Sequence, residues 1–91
     1  MKTIKDIDYS FKHTKQRLKE RYGIDISRTD YNLLCGRVKR KEDVRWISTE
    51  YQKNDTQHVY DLSFPFRNDI RVVWSKKRDC ITTALNKRRN M

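Results

Sequence analysis

Glycine occurs twice and proline once in 91 residues, so the chain has almost none of the usual loop punctuation. That scarcity excludes a glycine-rich phosphate loop, a dinucleotide-binding fingerprint and a low-complexity linker. The two cysteines, Cys35 and Cys80, lie far apart and outside any CxxC spacing or Cys/His cluster. No zinc site or other metal is therefore expected, and no cofactor. Both thiols read as buried and reduced, although a single disulfide between them is compatible with the sequence. The 12 acidic residues are scattered, and no pair has the spacing of a two-metal nuclease. GxSxG, HExxH, RNP aromatic and helix-turn-helix patterns are all missing. No apolar run approaches the roughly 18 residues of a membrane span. No apolar stretch follows Met1-Lys2-Thr3-Ile4-Lys5-Asp6, as a signal peptide would require. The expectation is a cytoplasmic protein (the host cytoplasm if phage-encoded) with no membrane partner.

Positive charge is abundant. Lys and Arg total 22, for a net charge of +10. The excess runs through both halves, +6 over residues 1–46 and +4 over residues 47–91. A body that is basic throughout suits a polyanionic partner, most often nucleic acid. With 35% hydrophobic residues the chain has a thin core and is one domain, 1–91.

Ser10 reads as the cap of a first helix reaching Tyr22, with Gly23 as its left-handed stop and Phe11, Leu18 and Tyr22 as its apolar face. Ser27 and Asp30 form a capping-box pattern for a second helix, Arg28 to Cys35, ending at Gly36, with Tyr31, Leu34 and Cys35 as its stripe. Residues 37–43 read as a charged connector. Four strands follow: Val44–Tyr51, Gln57–Phe64, Ile70–Ser75 and Cys80–Leu85. They are separated by a polar turn at 52–56, a turn around Pro65 and Asn68, and the basic turn Lys76–Asp79, before a basic end at 86–91. Short connections favour an antiparallel meander, and helices before strands favour an α+β domain with both helices on one sheet face. The other face is then free to work.

His13, Arg17 and Arg21 recur every four residues and flank the apolar face of the first helix. At that rim a histidine pKa is tunable and two guanidiniums can grip a phosphate, although helices also carry plain solvated charge, here with Lys15 and Glu20 as partners. On the strands, Arg45, Lys53 and Arg71 alternate with apolar residues among Trp46, Tyr51, Tyr60 and Trp74. Cations beside aromatics suit single-stranded RNA, while at least one of the two tryptophans belongs to the core. His58 reads as a sheet-surface residue.

The stretch from Phe11 to Ile24, with His13, Arg17 and Arg21 before Gly23-Ile24, resembles the opening of small toxin-like domains in the DUF4258 and BrnT-like groups. Residues 27–34 resemble their second helix, and Arg71-Val72-Val73-Trp74 with Ile81-Thr82-Thr83-Ala84-Leu85 resembles their closing hairpin. The likeness runs from residue 9 to 85. These groups belong to the barnase–EndoU–colicin–RelE superfamily. The resemblance implies a RelE-like α+β fold, two N-terminal helices packed on a four-stranded antiparallel sheet. It also implies metal-independent endoribonuclease activity, with His13, Arg17 and Thr83 at matched positions.

The reading is an RNA-binding, metal-independent endoribonuclease that uses the 2′-hydroxyl as nucleophile. It would act as a toxin or phage-encoded effector on mRNA, tRNA or ribosome-associated RNA, with an acidic antitoxin or inhibitor protein as a further partner. His13 serves as acid or base, Arg17 and Arg71 hold the phosphate, and Thr83 bonds it or orients His13. Arg21, Arg45, Trp46, His58, Tyr60, Lys76, Lys77, Arg78 and Thr82 contact RNA. The alternatives are a nucleic-acid-binding or inhibitor protein without catalysis, and a module that docks on an acidic host protein or the ribosome.

Overall fold

The computed structural model describes residues 4–64 and 68–86, with side chains from Tyr9 onward. Helices α1 (Ile4–Tyr22) and α2 (Arg28–Arg40) precede strands β1 (Val44–Gln52), β2 (Asp55–Ser63), β3 (Asp69–Ser75) and β4 (Cys80–Leu85). The strands form one antiparallel sheet in the order β1-β2-β3-β4, the α+β meander implied by the short connections. Pro65 and the basic end beyond Asn86 lie outside the described residues.

Because α1 begins at Ile4, Ser10 is not its cap. Ser10, Thr14 and Leu18 recur every four residues, and all are 0% exposed. This stripe of mostly small side chains brings the helix close to β4, while Phe11 and Tyr22 pack at its margins. A search for large apolar residues finds only those margins and the Leu18 end. The helix stops as expected at Gly23, whose φ of 69° suits glycine and whose N–H reaches Lys19 O at 3.0 Å.

The Ser27–Asp30 capping box is formed, Asp30 N–H donating to Ser27 Oγ at 3.1 Å and Ser27 N–H to Asp30 Oδ2 at 2.9 Å. The expected stop at Gly36 is wrong. Helix α2 continues to Arg40, and Lys41 takes the left-handed cap at φ 60°. Burial of Val38 extends the Tyr31–Leu34 stripe by a turn, and the basic residues Arg37, Lys39 and Arg40 suit the negative end of the helix dipole. Packing and charge together outweigh one glycine's cost of about 1 kcal/mol. The supposed connector is therefore mostly helix. Similarly, β1 and β2 lengthen until only Lys53 and Asn54 remain in their turn.

Side chains from both helices meet Tyr60, Leu62, Ile70, Val72, Trp74, Ile81 and Ala84 on one sheet face. The helices lie toward β4, so the β1–β2 hairpin extends past them. The register slips between Val73↔Thr83 and Trp74↔Ile81, leaving Thr82 as an extra residue on β4. At this bulge the Ile81 carbonyl accepts hydrogen bonds from Tyr31 OH at 2.6 Å and Thr14 Oγ1 at 3.4 Å, which fixes both helices to β4. Cys35 and Cys80 are free thiols, half-buried and buried.

Candidate functional site

The opposite sheet face is open, and across it runs a cleft of about 820 Å³. Val59 and Val73, cross-strand partners, form its floor. One wall is α1, which contributes Tyr9 and His13, and β4 adds Thr82 and Thr83 to the lining. The bulge explains the paired threonines: strict alternation would send one of them to the helix side. The only trace in sequence is that Ile81 and Ala84 are spaced by three rather than two.

The far end of the cleft is the β3–β4 turn, which contributes Lys77 and Arg78. Asp55 shapes that turn. It accepts from Ser75 Oγ at 2.6 Å and from Lys77 N–H at 2.9 Å, while Ser75 Oγ also accepts from Arg78 N–H at 3.1 Å. Burial pushes the Asp55 carboxyl up, but hydrogen bonds from Ser75, Lys77, Thr56 and Gln57 outweigh it and leave the group below the ordinary aspartate value. Asp55 therefore remains an acceptor, and the basic turn keeps its shape.

His13 is half-buried and stacks on Tyr9, ring centroids 5.9 Å apart and planes within 13°. Its pKa lies below the usual 6.5, first because burial disfavours the imidazolium, then because Arg17 and Arg21 repel it, with Glu20 opposing weakly. A neutral ring at neutral pH accepts a proton.

His13, Thr82, Thr83, Lys77 and Arg78 thus share one cleft, whereas Arg17 and Arg71 lie outside its lining. Arg17 is paired with Glu20 at 2.9 Å on the helix rim, and Arg21 is exposed. Arg71 grips the buried Asp61 with Nε at 2.7 Å and Nη2 at 3.0 Å, and Arg45 joins the same carboxylate at 2.9 Å. Those two guanidiniums hold strands β1, β2 and β3 together across one row. Trp46, His58, Tyr60 and Lys76 fall on the other side of the sheet or at its end, away from the cleft. Sequence reasoning missed Tyr9, although it stands one turn before His13, and Asp55, whose role depends on strand pairing across 20 residues.

Among the described residues no group of three or more His, Cys, Asp or Glu is placed to hold a metal ion, and no helix is long and apolar enough to cross a membrane. Compared with family models, with curated proteins and with solved structures, the chain has no significant match.

Proposed function

We propose that the chain is an RNA-binding, metal-independent endoribonuclease of the barnase–EndoU–colicin–RelE kind, with the cleft as its reaction site. The observation that carries this reading is the lining of one cleft by His13, its pKa lowered, by Thr83 and, at the far end, by the Lys77–Arg78 turn, on a body of net charge +10. RNA brings its own nucleophile, the 2′-hydroxyl. His13 accepts the hydroxyl proton while O2′ bonds to phosphorus. The P–O5′ bond then breaks, and the proton returns from His13 through water to O5′. The products are a 2′,3′-cyclic phosphate and a 5′-hydroxyl. The Thr83 hydroxyl donates to a phosphate oxygen, and Lys77 and Arg78 at the far end of the cleft hold the charged backbone that runs through it. Arg17 acts through His13 by keeping the free ring neutral. A bound phosphate has the opposite effect and helps the imidazolium persist during the step.

Such an activity fits a toxin or a phage-encoded effector acting on cellular RNA in the cytoplasm, held in check by an acidic inhibitor protein. The engagement of Arg45 and Arg71 by Asp61 favours a second reading, in which the same fold binds nucleic acid or a host protein without cutting. Incubation with total RNA in EDTA, followed by mapping of the ends, separates the two. Cyclic-phosphate ends support cleavage. Binding without cleavage of any RNA, with or without ribosomes, selects the second reading.

A further inference from the structure

The most unusual surface lies away from the cleft, on the helix side of the sheet, where the β1–β2 hairpin extends beyond α1 and α2. Trp46 is 58% exposed and Tyr51 83% exposed there. An exposed tryptophan is ordinarily free to change rotamer, but this one is held. Its Nε1–H donates to Thr49 Oγ1 at 2.9 Å, and the same hydroxyl is bonded to His58 Nδ1 at 2.9 Å. The indole therefore has its polar atom satisfied by the protein, and that bond favours one ring orientation. Trp46 is paired across the strands with Tyr60, and Thr49 with His58. Beside them a groove of about 210 Å³ runs between the end of α2 and the sheet, lined by Lys39, Lys41, Lys76, His58, Tyr60 and Trp74. Lys41 Nζ stands 5.8 Å over the Tyr60 ring. Asp79 on the groove's rim is bonded to Lys39 at 3.0 Å, and neither Lys41 nor Lys76 has an acidic partner among the described residues.

We propose that this surface is a second docking site, which takes single-stranded RNA by stacking a base on Trp46 and holding the phosphates of the strand that runs on along the groove with Lys41 and Lys76. It deepens the ribonuclease reading by giving the substrate a hold outside the cleft. The chemistry fits that occupant. A flat, oriented ring with a satisfied N–H offers a π-face to any base, and little side-chain freedom is lost when it is covered. Ammonium groups along the neighbouring groove suit a phosphate backbone. An acidic protein would satisfy the lysines but leave the ring faces without a bonding role.

Trp46 is the exposed tryptophan and Trp74 the buried one, so emission reports on this site directly. The probe is 2′-O-methyl oligouridine, whose blocked hydroxyl cannot be cut, titrated against the full chain, with an RNA duplex and heparin as comparison ligands. Saturable quenching by the oligouridine is expected, and weak quenching by duplex and heparin. Trp46→Ala should weaken oligouridine affinity roughly ten-fold. Lys41→Ala with Lys76→Ala should lower the log–log salt slope by about 1.4, at about 0.7 per phosphate contact. Thr49→Val, which releases the indole without removing it, should weaken binding by a smaller factor. Unchanged emission at saturation, unchanged affinity in Trp46→Ala, or equal quenching by heparin would overturn the proposal. Because this readout needs no cleavage, it stands or falls separately from the reaction assigned to the cleft.

Discussion

Trp46 and Trp74 sit on the same side of one sheet, in strands of similar composition, yet one is 58% exposed and the other 8%. The difference lies in the helices. Helix α1 lies along β4 and α2 closes over the adjoining core, so that side of the sheet is covered over much of β2, β3 and β4 and open over most of β1. An alternating aromatic pattern marks which face a residue points to, but not whether anything covers that face. The covered strands supply stability, and the uncovered one leaves the rings of Trp46 and Tyr51 accessible.

The sharpest break in that comparison is on the open face, where stability depends on charge. Arg45→Met with Arg71→Met takes two guanidiniums away from the buried Asp61 carboxylate, 1% exposed. This should cost about 3–5 kcal/mol in urea unfolding, and adding Asp61→Leu should recover most of it. If the double variant unfolds like wild type, the row is not what joins the three strands. The tryptophan pair tests the covered strands. Trp74→Ala should cost about 3–5 kcal/mol and Trp46→Ala within about 0.5 kcal/mol. Equal losses would mean that both positions are packed alike. A smaller effect is expected at the α1–β4 contact. Ser10 Oγ is buried with no partner among the described residues, so Ser10→Ala should be neutral or stabilising by about 1 kcal/mol. A loss above that size would show that the hydroxyl is bonded.

The smallest effect concerns His13. Its folded pKa lies below its unfolded value of about 6.5, so folding favours the neutral ring. The stability this provides is fully present above that pH and fades as pH falls through the lowered pKa. The group is near the surface, so the change is slight and is better followed by NMR titration. Arg17→Gln should raise the His13 pKa part of the way to its ordinary value, with burial holding the rest down, and Glu20→Gln should lower it further. An unchanged titration in both variants would remove the charges from the account.

Much of this fold was legible in sequence because local signals and tertiary packing agree. The Ser27–Asp30 box, the Gly23 stop and β4 at Cys80–Leu85 are cases where chain-local chemistry decides. Ser10 and Gly36 misled because a buried stripe and a lengthened core overrode them. The candidate site divides in the same way. His13 follows from helix period and Thr83 from the resemblance, whereas Thr82 joins them in the cleft lining only through the bulge. The companion role of Arg71 was not readable, because its partner Asp61 stands across a strand pair, and register is not written in the spacing. Tyr9 is readable from the i, i+4 rule, one turn before His13.

The central claim is that the cleft moves a proton with His13 and needs no metal. The most direct measurement is the rate of RNA cleavage in EDTA by wild type, His13→Ala and His13→Gln, with RNA affinity measured alongside. Wild type should leave 2′,3′-cyclic phosphate ends. Both variants should lose about 10²–10⁴-fold in rate while keeping RNA affinity, because the basic surface remains and glutamine hydrogen-bonds but does not carry protons near neutral pH. Undiminished cleavage by His13→Ala, or no cleavage by wild type, would contradict the claim.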